Sequence, residues 1–158
     1  MPNSVNDGVI TTSRATLDDL DAVAPLFDAY RVFYRQPSDA AIARAFIEER
    51  LRRDESVIFV ARAAATSAAW GFTQLYPAFT SVAARRIWIL NDLFVAPEAR
   101  KHGVARALME RARAFAGETG ALRLVLETAE DNHVAQSLYE SLGYELETGE
   151  RHYSLTLD

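Results

Sequence analysis

Residues Asn91–Ala107 read NDLFVAPEARKHGVARA and lead the chain from an apolar segment through a turn into a helix. Three residues with basic side chains, Arg100–His102, precede Gly103 just where the helix begins. A helix N-terminus already carries a partial positive charge, so further cations there are unfavourable unless an anion meets them. Unpaired backbone N–H groups, and a glycine that lets the backbone approach a ligand closely, are the physical parts of a phosphate site. The alternative is a plain turn with solvated cations.

Two polar residues interrupt the apolar segment that leads into this turn. Asn91 and Asp92 stand inside Ile87–Val95, which is otherwise almost continuously apolar, as expected of a central strand covered on both faces. Such an interruption often marks a bulge, where a strand bends and frees backbone groups. A bulged strand leading to an anion-binding helix start would suit an extended ligand with amide groups and a pyrophosphate. Coenzyme A has that shape, because its pantetheine amides can pair with a strand edge as a peptide does.

The composition limits the kind of protein this can be. The chain has 158 residues, which suits one domain. A domain of this length buries roughly 70% of the surface that its unfolded chain exposes. The absence of cysteine excludes disulfides, thiolate metal sites and cysteine nucleophiles. The formal net charge of −5 argues against a nucleic-acid partner and is compatible with a cationic substrate. His102, His133 and His152 lack metal-ligand spacing, and we expect no metal.

Hydropathy and the N-terminal residues predict the compartment. The first eight residues, MPNSVNDG, are expected to form a loose tail and lack the basic and apolar regions of a signal peptide. No apolar run reaches the length needed to span a membrane. We therefore expect a cytoplasmic protein without a membrane partner, in which residues 9–158 form one domain.

Residues 9–158 alternate between strand-like and helical patterns. Strands are predicted over 9–15, 57–61, 70–76 and 87–95, from 122 onwards, and over YELE (144–147) and RHYSLTLD (151–158). Four helices are predicted: Thr16 and Asp19 form a capping box at the first, Ser38 caps the second, and Asp131 or Asn132 caps the fourth. This pattern is typical of a mixed α/β domain.

Two motifs together resemble those of the GNAT superfamily of acetyl-CoA-dependent N-acetyltransferases. LFVAPEARKHGVARALM, from Leu93, is similar to its pyrophosphate motif Q/R-x-x-G-x-G/A, matched by Arg100, Gly103 and Ala105. NHVAQSLYESLGY resembles a second motif, N-x-x-A-x-x-L-Y-x-x-x-G-Y/F. Its matching residues are Asn132, Ala135, Leu138, Tyr139, Gly143 and Tyr144. The order of elements also matches, so the resemblance covers residues 9–157.

The resemblance implies a fold and a cosubstrate. The fold is one domain with a mixed, mostly antiparallel sheet of six to seven strands, splayed at the cofactor site and flanked by four helices. The cosubstrate is acetyl-CoA. The residues expected to bind it are Leu93, Phe94, Val95, Arg100, Lys101, His102, Gly103, Val104, Ala105, Arg106, Asn132 and Ala135. Asn132 could also serve as an ordinary helix cap. AYRVFYRQPSD and GFTQLYPAFTSV resemble the branch of fungal histone and polyamine acetyltransferases.

Acetyl transfer to an amine requires a neutral nucleophile, a stabilised oxyanion and a proton for the leaving thiolate. Without cysteine, direct attack in a ternary complex is simpler than a covalent relay. Tyr139 matches the usual acid position of the superfamily, and a phenol with a pKa of about 10 can protonate the thiolate of a thiol whose pKa is about 8.5. Spacing alone favours a packing role for Tyr139 beside its helix's apolar stripe.

Several groups remain candidates for the general base. Asp92 could accept the proton, or it could be a structural carboxylate bonded to backbone at the bulge. In polyamine acetyltransferases the residue matching Asn91 is typically glutamate, and asparagine cannot act as a base. Asp92, Glu127 or a chain of water molecules therefore remain. A backbone N–H near Leu93 or Phe94 would stabilise the oxyanion where splayed strands leave donors free.

The acceptor is the least constrained part of this interpretation. Tyr30, Phe33, Tyr34, Tyr76 and Phe79 lie in segments that flank the substrate side in the superfamily. They could form an aromatic box for an alkylammonium, or they could be core residues. The candidate substrate contacts are Tyr30, Tyr34, Tyr76 and Glu127. The sequence leaves open which small-molecule or peptide amine is the acceptor and whether the protein is a homodimer.

Two other functions are compatible with the same sequence features. One is a non-catalytic acyl-CoA-binding or regulatory module on the same fold, against which Tyr139 argues. The other is a different α/β nucleotide-binding protein, which would need a phosphate-binding loop near the start of the chain. The N-terminal region shows no glycine-rich loop of that kind.

Overall fold

The computed structural model describes residues 9–158, which fall into two compact units. The first unit ends at Leu126, and the second runs from Glu127 to Asp158. The tail expected over residues 1–8 lies outside the described residues. The single domain expected over 9–158 stays a prediction.

The first unit contains a five-stranded sheet. Its strands are β1 (Ile10–Arg14), β2 (Val57–Ala63), β3 (Ala69–Thr80), β4 (Arg85–Val95) and β5 (Leu124–Val125). They lie side by side in chain order; the first four are antiparallel, and β5 runs parallel to β4. The prediction of a mixed, mostly antiparallel sheet is therefore confirmed.

The predicted count of six to seven strands is wrong for residues 9–158, which form five. The pattern that begins at Leu122 yields only the two residues of β5, and residues 144–147 and 151–158 form no strand. Tyr153, Leu155 and Leu157 alternate as strand residues do, yet their exposed fractions are 88%, 85% and 82%. Alternation tells which side chains share a face, whereas a strand also needs a neighbour for its backbone groups.

The described residues contain four α-helices. They are α1 (Leu20–Phe33), α2 (Ala40–Arg52), α3 (Val104–Glu118) and, in the second unit, α4 (His133–Ser141). The capping box of Thr16 and Asp19 is confirmed, and it encloses a short 3₁₀ turn that leads into α1. Asp39 rather than Ser38 caps α2, because its carboxylate accepts from the N–H of Ile42 at 3.0 Å. Asn132 caps α4 by accepting from the N–H of Ala135 at 3.2 Å.

The helices of the first unit cover opposite faces of the sheet. Phe72 of β3 packs edge-on against Phe27 and Tyr30 of α1, and Phe27 stacks on Phe46 of α2. Successive strand residues point to opposite faces. On the other face, Phe59 of β2 contacts Phe115 of α3 at 5.5 Å between ring centroids. Phe72 and Phe59 are fully buried, and each such ring contributes roughly 1.5–3 kcal/mol of hydrophobic stabilisation.

The start of α3 lies very close to β3. A Cβ atom added to Gly71 would lie 2.6 Å from the carbonyl oxygen of Phe94 and 3.2 Å from Cγ1 of Val104. Only a glycine fits at that distance. The first contact is with the neighbouring strand β4 and the second with the first residue of α3, so Gly71 lets the start of α3, where the phosphate site is predicted, pack against β3 beside the end of β4.

Candidate active site

The predicted bulge at Asn91 and Asp92 is confirmed. Asp92 pairs with Gln74 and Leu90 pairs with Leu75, so Asn91 has no partner on β3. The hydroxyl of Thr73 donates to the carbonyl oxygen of Asp92 at 2.8 Å and fastens the strand just after the bulge. The extra residue in β4 bends the strand ahead of the segment that leads to α3.

One edge of β4 lies open after the bulge. β5 pairs only with Trp88 and Ile89, while Leu93, Phe94 and Val95 pair with β3 on their other side. Within residues 9–126, no strand continues alongside these three residues on the β5 side. Since strand residues present backbone groups to both edges in alternation, this edge carries N–H and C=O groups that an extended ligand can reach.

The turn after β4 has the backbone of an anion site. Gly103 is the N-cap residue of α3 and has a left-handed conformation with φ of 80°, and Lys101 also has a positive φ of 66°. Gly103 has no side chain to cap the first N–H groups of α3, and the first turn of α3 contains no acidic residue. These N–H groups and the positive end of the helix dipole therefore face outward together.

The basic side chains of this turn are exposed. Neither Arg100 nor Lys101 forms a salt bridge with another residue in the described part of the chain. The Nε of Arg100 donates to the carbonyl oxygen of Val95 at 3.3 Å, which holds its guanidinium beside the open edge. The ring of His102 lies 5.7 Å from that of Trp70. No ion pair among residues 9–158 therefore neutralises Arg100 or Lys101.

A buried hydrogen-bonded chain surrounds Asp92, whose exposed fraction is 3%. The hydroxyl of Ser56 donates to Oε1 of Gln74 at 2.7 Å, and Nε2 of Gln74 donates to Oδ2 of Asp92. The other carboxylate oxygen, Oδ1, accepts from Nδ2 of Asn91 at 2.9 Å. Both carboxylate oxygens of Asp92 thus accept from side-chain amides. The sequence also allowed a purely structural carboxylate bonded to backbone N–H groups, but the described contacts of this side chain include no such bond.

Two tyrosines lie next to this carboxylate. The hydroxyl of Tyr30 donates to the carbonyl oxygen of Asn91 at 3.5 Å. Burial, and then the charge of Asp92 and a hydrogen bond to it, raises the pKa of Tyr30 far above its usual value. Burial, and then the charge of Asp92, raises the pKa of Tyr76 to about 12, although Arg50 opposes the shift. Both phenols therefore keep their protons at neutral pH, and Tyr30 acts as a hydrogen-bond donor.

The structure brings most of the predicted acceptor residues to this place. The ring of Tyr34 lies 4.9 Å from that of Tyr30, and Phe33 packs at 5.2 Å from Tyr34. Phe33 and Tyr34 are more than half exposed. Phe79 instead lies near the tip of the β3–β4 hairpin, where Arg86 stacks on its ring. Tyr30 and Tyr76 therefore lie beside Asp92, Tyr34 extends the group through its contact with Tyr30, and Phe79 is not a member.

The second unit carries the remaining predicted residues. Tyr139 is half-buried on α4, with its ring 6.1 Å from that of Tyr144. The side chain of Gln136 donates to the carbonyl oxygens of Ala129 and Glu130 at 3.0 Å each and holds the turn before α4. Glu127 is exposed. The cap role of Asn132 is confirmed, while the catalytic, cofactor and substrate roles of Tyr139, Asn132, Ala135 and Glu127 stay predictions.

Three residues of this region could not be assigned a role from the sequence. Gln74 and Ser56 hold the carboxylate of Asp92, and Gly71 admits the start of α3. The signal for Gln74 was present, because a glutamine inside an apolar strand needs a buried partner. Its partner could not be read, since it depends on the register of β3 against β4.

Among residues 9–158, no group of three or more histidine, cysteine, aspartate or glutamate residues could hold a metal ion. None of the helices described is long and apolar enough to cross a membrane.

Comparison with known proteins places this geometry in a family. The model of the acetyltransferase (GNAT) family matches residues 22–144. The uncharacterized N-acetyltransferase YhfO of Bacillus subtilis (strain 168) is 49% identical over 144 residues, 91% of this chain and 95% of that protein. A crystal structure of a probable acetyltransferase, 45% identical, superposes with a TM-score of 0.89 over 94% of this chain and 98% of that one.

A more distant structure shares the fold. The aminoglycoside N-acetyltransferase AAC(6')-Iy, solved in complex with CoA, is 22% identical and has a TM-score of 0.75 over 94% of this chain and 96% of that one. The matched residues include the bulge, the open edge of β4, the turn at Gly103 and α4. This chain belongs to the GNAT family of acetyltransferases.

Proposed function

We propose that the protein transfers an acetyl group from acetyl-CoA to a primary amine of a small molecule or peptide, by direct attack in a ternary complex. The observation that carries this proposal is the continuity of three features: a bulge in β4, an open strand edge after it, and the uncapped, cationic start of α3. An extended thioester with a pyrophosphate tail matches these features in order.

The residues proposed to hold the cosubstrate follow this path. Leu93–Val95 offer backbone groups to the pantetheine amides, as a strand edge does to a peptide. The N–H groups of the first turn of α3 bind the pyrophosphate, assisted by Arg100 and Lys101. Asn132 and Ala135 of α4 complete the set that the family motif implies. The CoA bound to the aminoglycoside acetyltransferase of similar fold supports this choice of ligand.

The reaction needs two proton movements. Asp92 takes a proton from the acceptor's ammonium, directly or through water, and leaves a neutral amine. As the amine nitrogen bonds to the acetyl carbon, a backbone N–H near Leu93 or Phe94 stabilises the oxyanion. Tyr139 donates its proton to the sulfur as the C–S bond breaks, and it regains a proton from the acetylated nitrogen. One proton is released in total.

The acceptor is a cationic amine. Tyr30 and Tyr76 lie beside the carboxylate of Asp92, and Tyr34 adds a further ring next to Tyr30, which suits an alkylammonium. Glu127 is a further candidate contact. Because the residue at position 91 is asparagine, the carboxylate that deprotonates the acceptor is assigned to the next residue along the strand.

A mass-spectrometric screen tests this function. The protein is incubated with acetyl-CoA and separate pools of polyamines, amino acids, aminoglycosides and histone peptides, and products heavier by one acetyl group are sought. The matched control is Tyr139→Phe, which keeps the ring and removes the proposed acid. An acetylated amine formed by the parent and at least tenfold less by Tyr139→Phe is expected. Tight CoA binding without turnover on any amine would instead identify a non-catalytic acyl-CoA-binding module.

A further inference from the structure

We propose that Gln74, backed by Ser56, is the positioning residue for the proton-accepting Asp92, and that its side-chain amide turns over when Asp92 changes charge. This inference rests on the proposed role of Asp92 as the carboxylate that deprotonates the acceptor. It assigns a part in proton transfer that the family motifs do not contain to a buried residue of β3 and to the buried residue just before β2.

Hydrogen-bonding chemistry fixes the direction of every bond while Asp92 is ionised. A carboxylate can only accept, so Gln74 must present its NH₂ group to Oδ2. Its carbonyl Oε1 then points to Ser56, which must donate, as the 2.7 Å contact shows. Gln74 is fully buried and Ser56 is 4% exposed, so solvent does not supply alternative partners.

Protonation of Asp92 reverses these requirements. A proton on Oδ2 would face the NH₂ group of Gln74, and two donors in contact would leave a buried polar group unsatisfied. A half-turn of the carboxamide brings Oε1 to Asp92 and the NH₂ group to Ser56, whose hydroxyl accepts as readily as it donates. The torsion of a terminal amide is broad and roughly two-fold, so Oε1 and Nε2 can exchange places while the other heavy atoms of Gln74 stay where they are.

Gln74 can therefore form a hydrogen bond with Asp92 in both its ionised and its protonated form. Asn91 does not need to do so. The side chain of Asn91 bonds to Oδ1 but is exposed, so water can replace it. The proton step itself is balanced. An N–H bond of the ammonium breaks, an O–H bond forms on Asp92, the electron pair stays on nitrogen, and Asp92 later returns the proton to solvent.

The charged and titratable groups that the described residues bring to Asp92 and its tyrosine neighbours come from α1, β3 and the end of α2 with the residues just after it. Tyr30 approaches from α1, and Tyr76 lies on β3, and both keep their protons because their pKa values are raised. Arg50 and Glu55 act on Tyr76 with opposite charge. The Asp92→Asn variant therefore separates the carboxyl signal of Asp92 from that of Glu55.

The test follows this carboxyl directly and needs no acceptor. Carboxyl ¹³C chemical shifts of aspartate-labelled protein are recorded against pH, and Asp92→Asn assigns the resonance. Gln74→Met keeps the chain length and removes the amide. Because a donor to the charged form is lost, the Asp92 midpoint should rise by about 1 pH unit or more. In the parent, the side-chain ¹⁵N–¹H signals of Gln74 should shift with the same midpoint.

Thr73→Val is the matched control. Thr73 is as fully buried as Gln74 and also bonds to Asp92, but to its backbone carbonyl on the opposite face. It should lower the stability without moving the midpoint. If Gln74→Met does not fold, Ser56→Ala serves in its place and should move the midpoint in the same direction by a smaller amount.

The outcomes separate the two proposals. A folded Gln74→Met or Ser56→Ala with the parent's midpoint overturns the positioning role, even if Asp92→Asn abolishes turnover. Full turnover by Asp92→Asn on an acceptor found in the screen overturns the base role instead. If the Asp92 midpoint rises equally in Gln74→Met and in Thr73→Val, loosening of the bulge rather than loss of the Gln74 amide causes the rise.

Discussion

Replacing Gly71 by alanine tests the close packing that holds the start of α3 against β3 and β4. The added Cβ would lie 2.6 Å from the backbone oxygen of Phe94, a distance that carbon and oxygen atoms do not tolerate without movement. Val104 and Leu108 follow at 3.2 and 3.3 Å. Since the first contact is with backbone, the sheet or the helix must shift rather than a flexible side chain.

The structure gives the magnitude of this effect. Forcing one extra methyl group into a close-packed interior costs about 1–3 kcal/mol. For a chain of this length, each kcal/mol lowers Tm by about 2–4 °C, so a decrease of about 2–12 °C is expected. The shift also displaces Phe94 and the first turn of α3, which are expected to bind CoA. The CoA affinity should therefore fall together with the stability.

Gly117→Ala is the matched control. Gly117 is an exposed residue of α3, and an added Cβ meets no atom within 4 Å. Alanine favours the helix by about 0.5–1 kcal/mol over glycine, so this variant should be slightly more stable than the parent and bind CoA equally. Urea unfolding with and without CoA measures both effects. A Gly71→Ala variant that matches the parent in midpoint and CoA affinity would show that neither Phe94 nor the start of α3 approaches Gly71 this closely.

Three further predictions follow from the site and from the α1–α2 junction. Gly103→Glu places a carboxylate and a strained left-handed residue at the start of α3, and it should abolish CoA binding in a protein that still folds; unchanged affinity by calorimetry would place the phosphates elsewhere. Tyr139→Phe should lower kcat about 10²–10⁴-fold, with preferential rescue by acetyl donors whose thiol is more acidic; a loss without rescue would mean that Tyr139 orients the cosubstrate. Hydrogen bonds from the Ser38 hydroxyl and the Asp39 N–H, with a smaller effect of Arg31, lower the pKa of Asp28. The ionised carboxylate therefore stabilises the folded protein at pH values above the unfolded pKa of 3.8, and this contribution is lost as the pH falls through the lower folded pKa. The difference in urea midpoint between the parent and Asp28→Asn should therefore shrink below about pH 4, and a constant difference down to pH 2 would refute this account.

Local patterns predicted the parts of the site that local chemistry determines. Asn91 and Asp92 indicated the bulge because two adjacent polar residues inside an apolar strand are seldom accommodated without a local bend. Gly103 indicated the turn into α3 because only a glycine reaches its conformation without strain. The capping box at Thr16 and Asp19 is likewise a matter of spacing within four residues.

The parts that were missed depend on contacts between distant segments. Ser38 and Asp39 are equally good caps by type, and Asp28 decides between them by accepting from the Ser38 hydroxyl and the Asp39 N–H. Gln74 meets Asp92 only because the bulge sets that register. Residues 144–147 and 151–158 alternate between apolar and polar side chains as strands do. The pattern of residues within such a segment does not show whether a neighbouring strand is present to pair with it.

Calorimetric titration with acetyl-CoA, compared with ATP and NAD under the same conditions, tests the central claim most directly. In the proposed site, the open edge of β4 is expected to bind the pantetheine arm, which neither nucleotide has, while the start of α3 is expected to bind phosphates, which all three share. The account predicts one-to-one binding of acetyl-CoA and far weaker binding of ATP and NAD. Equal affinity for all three would contradict it and leave only a general anion site at the start of α3.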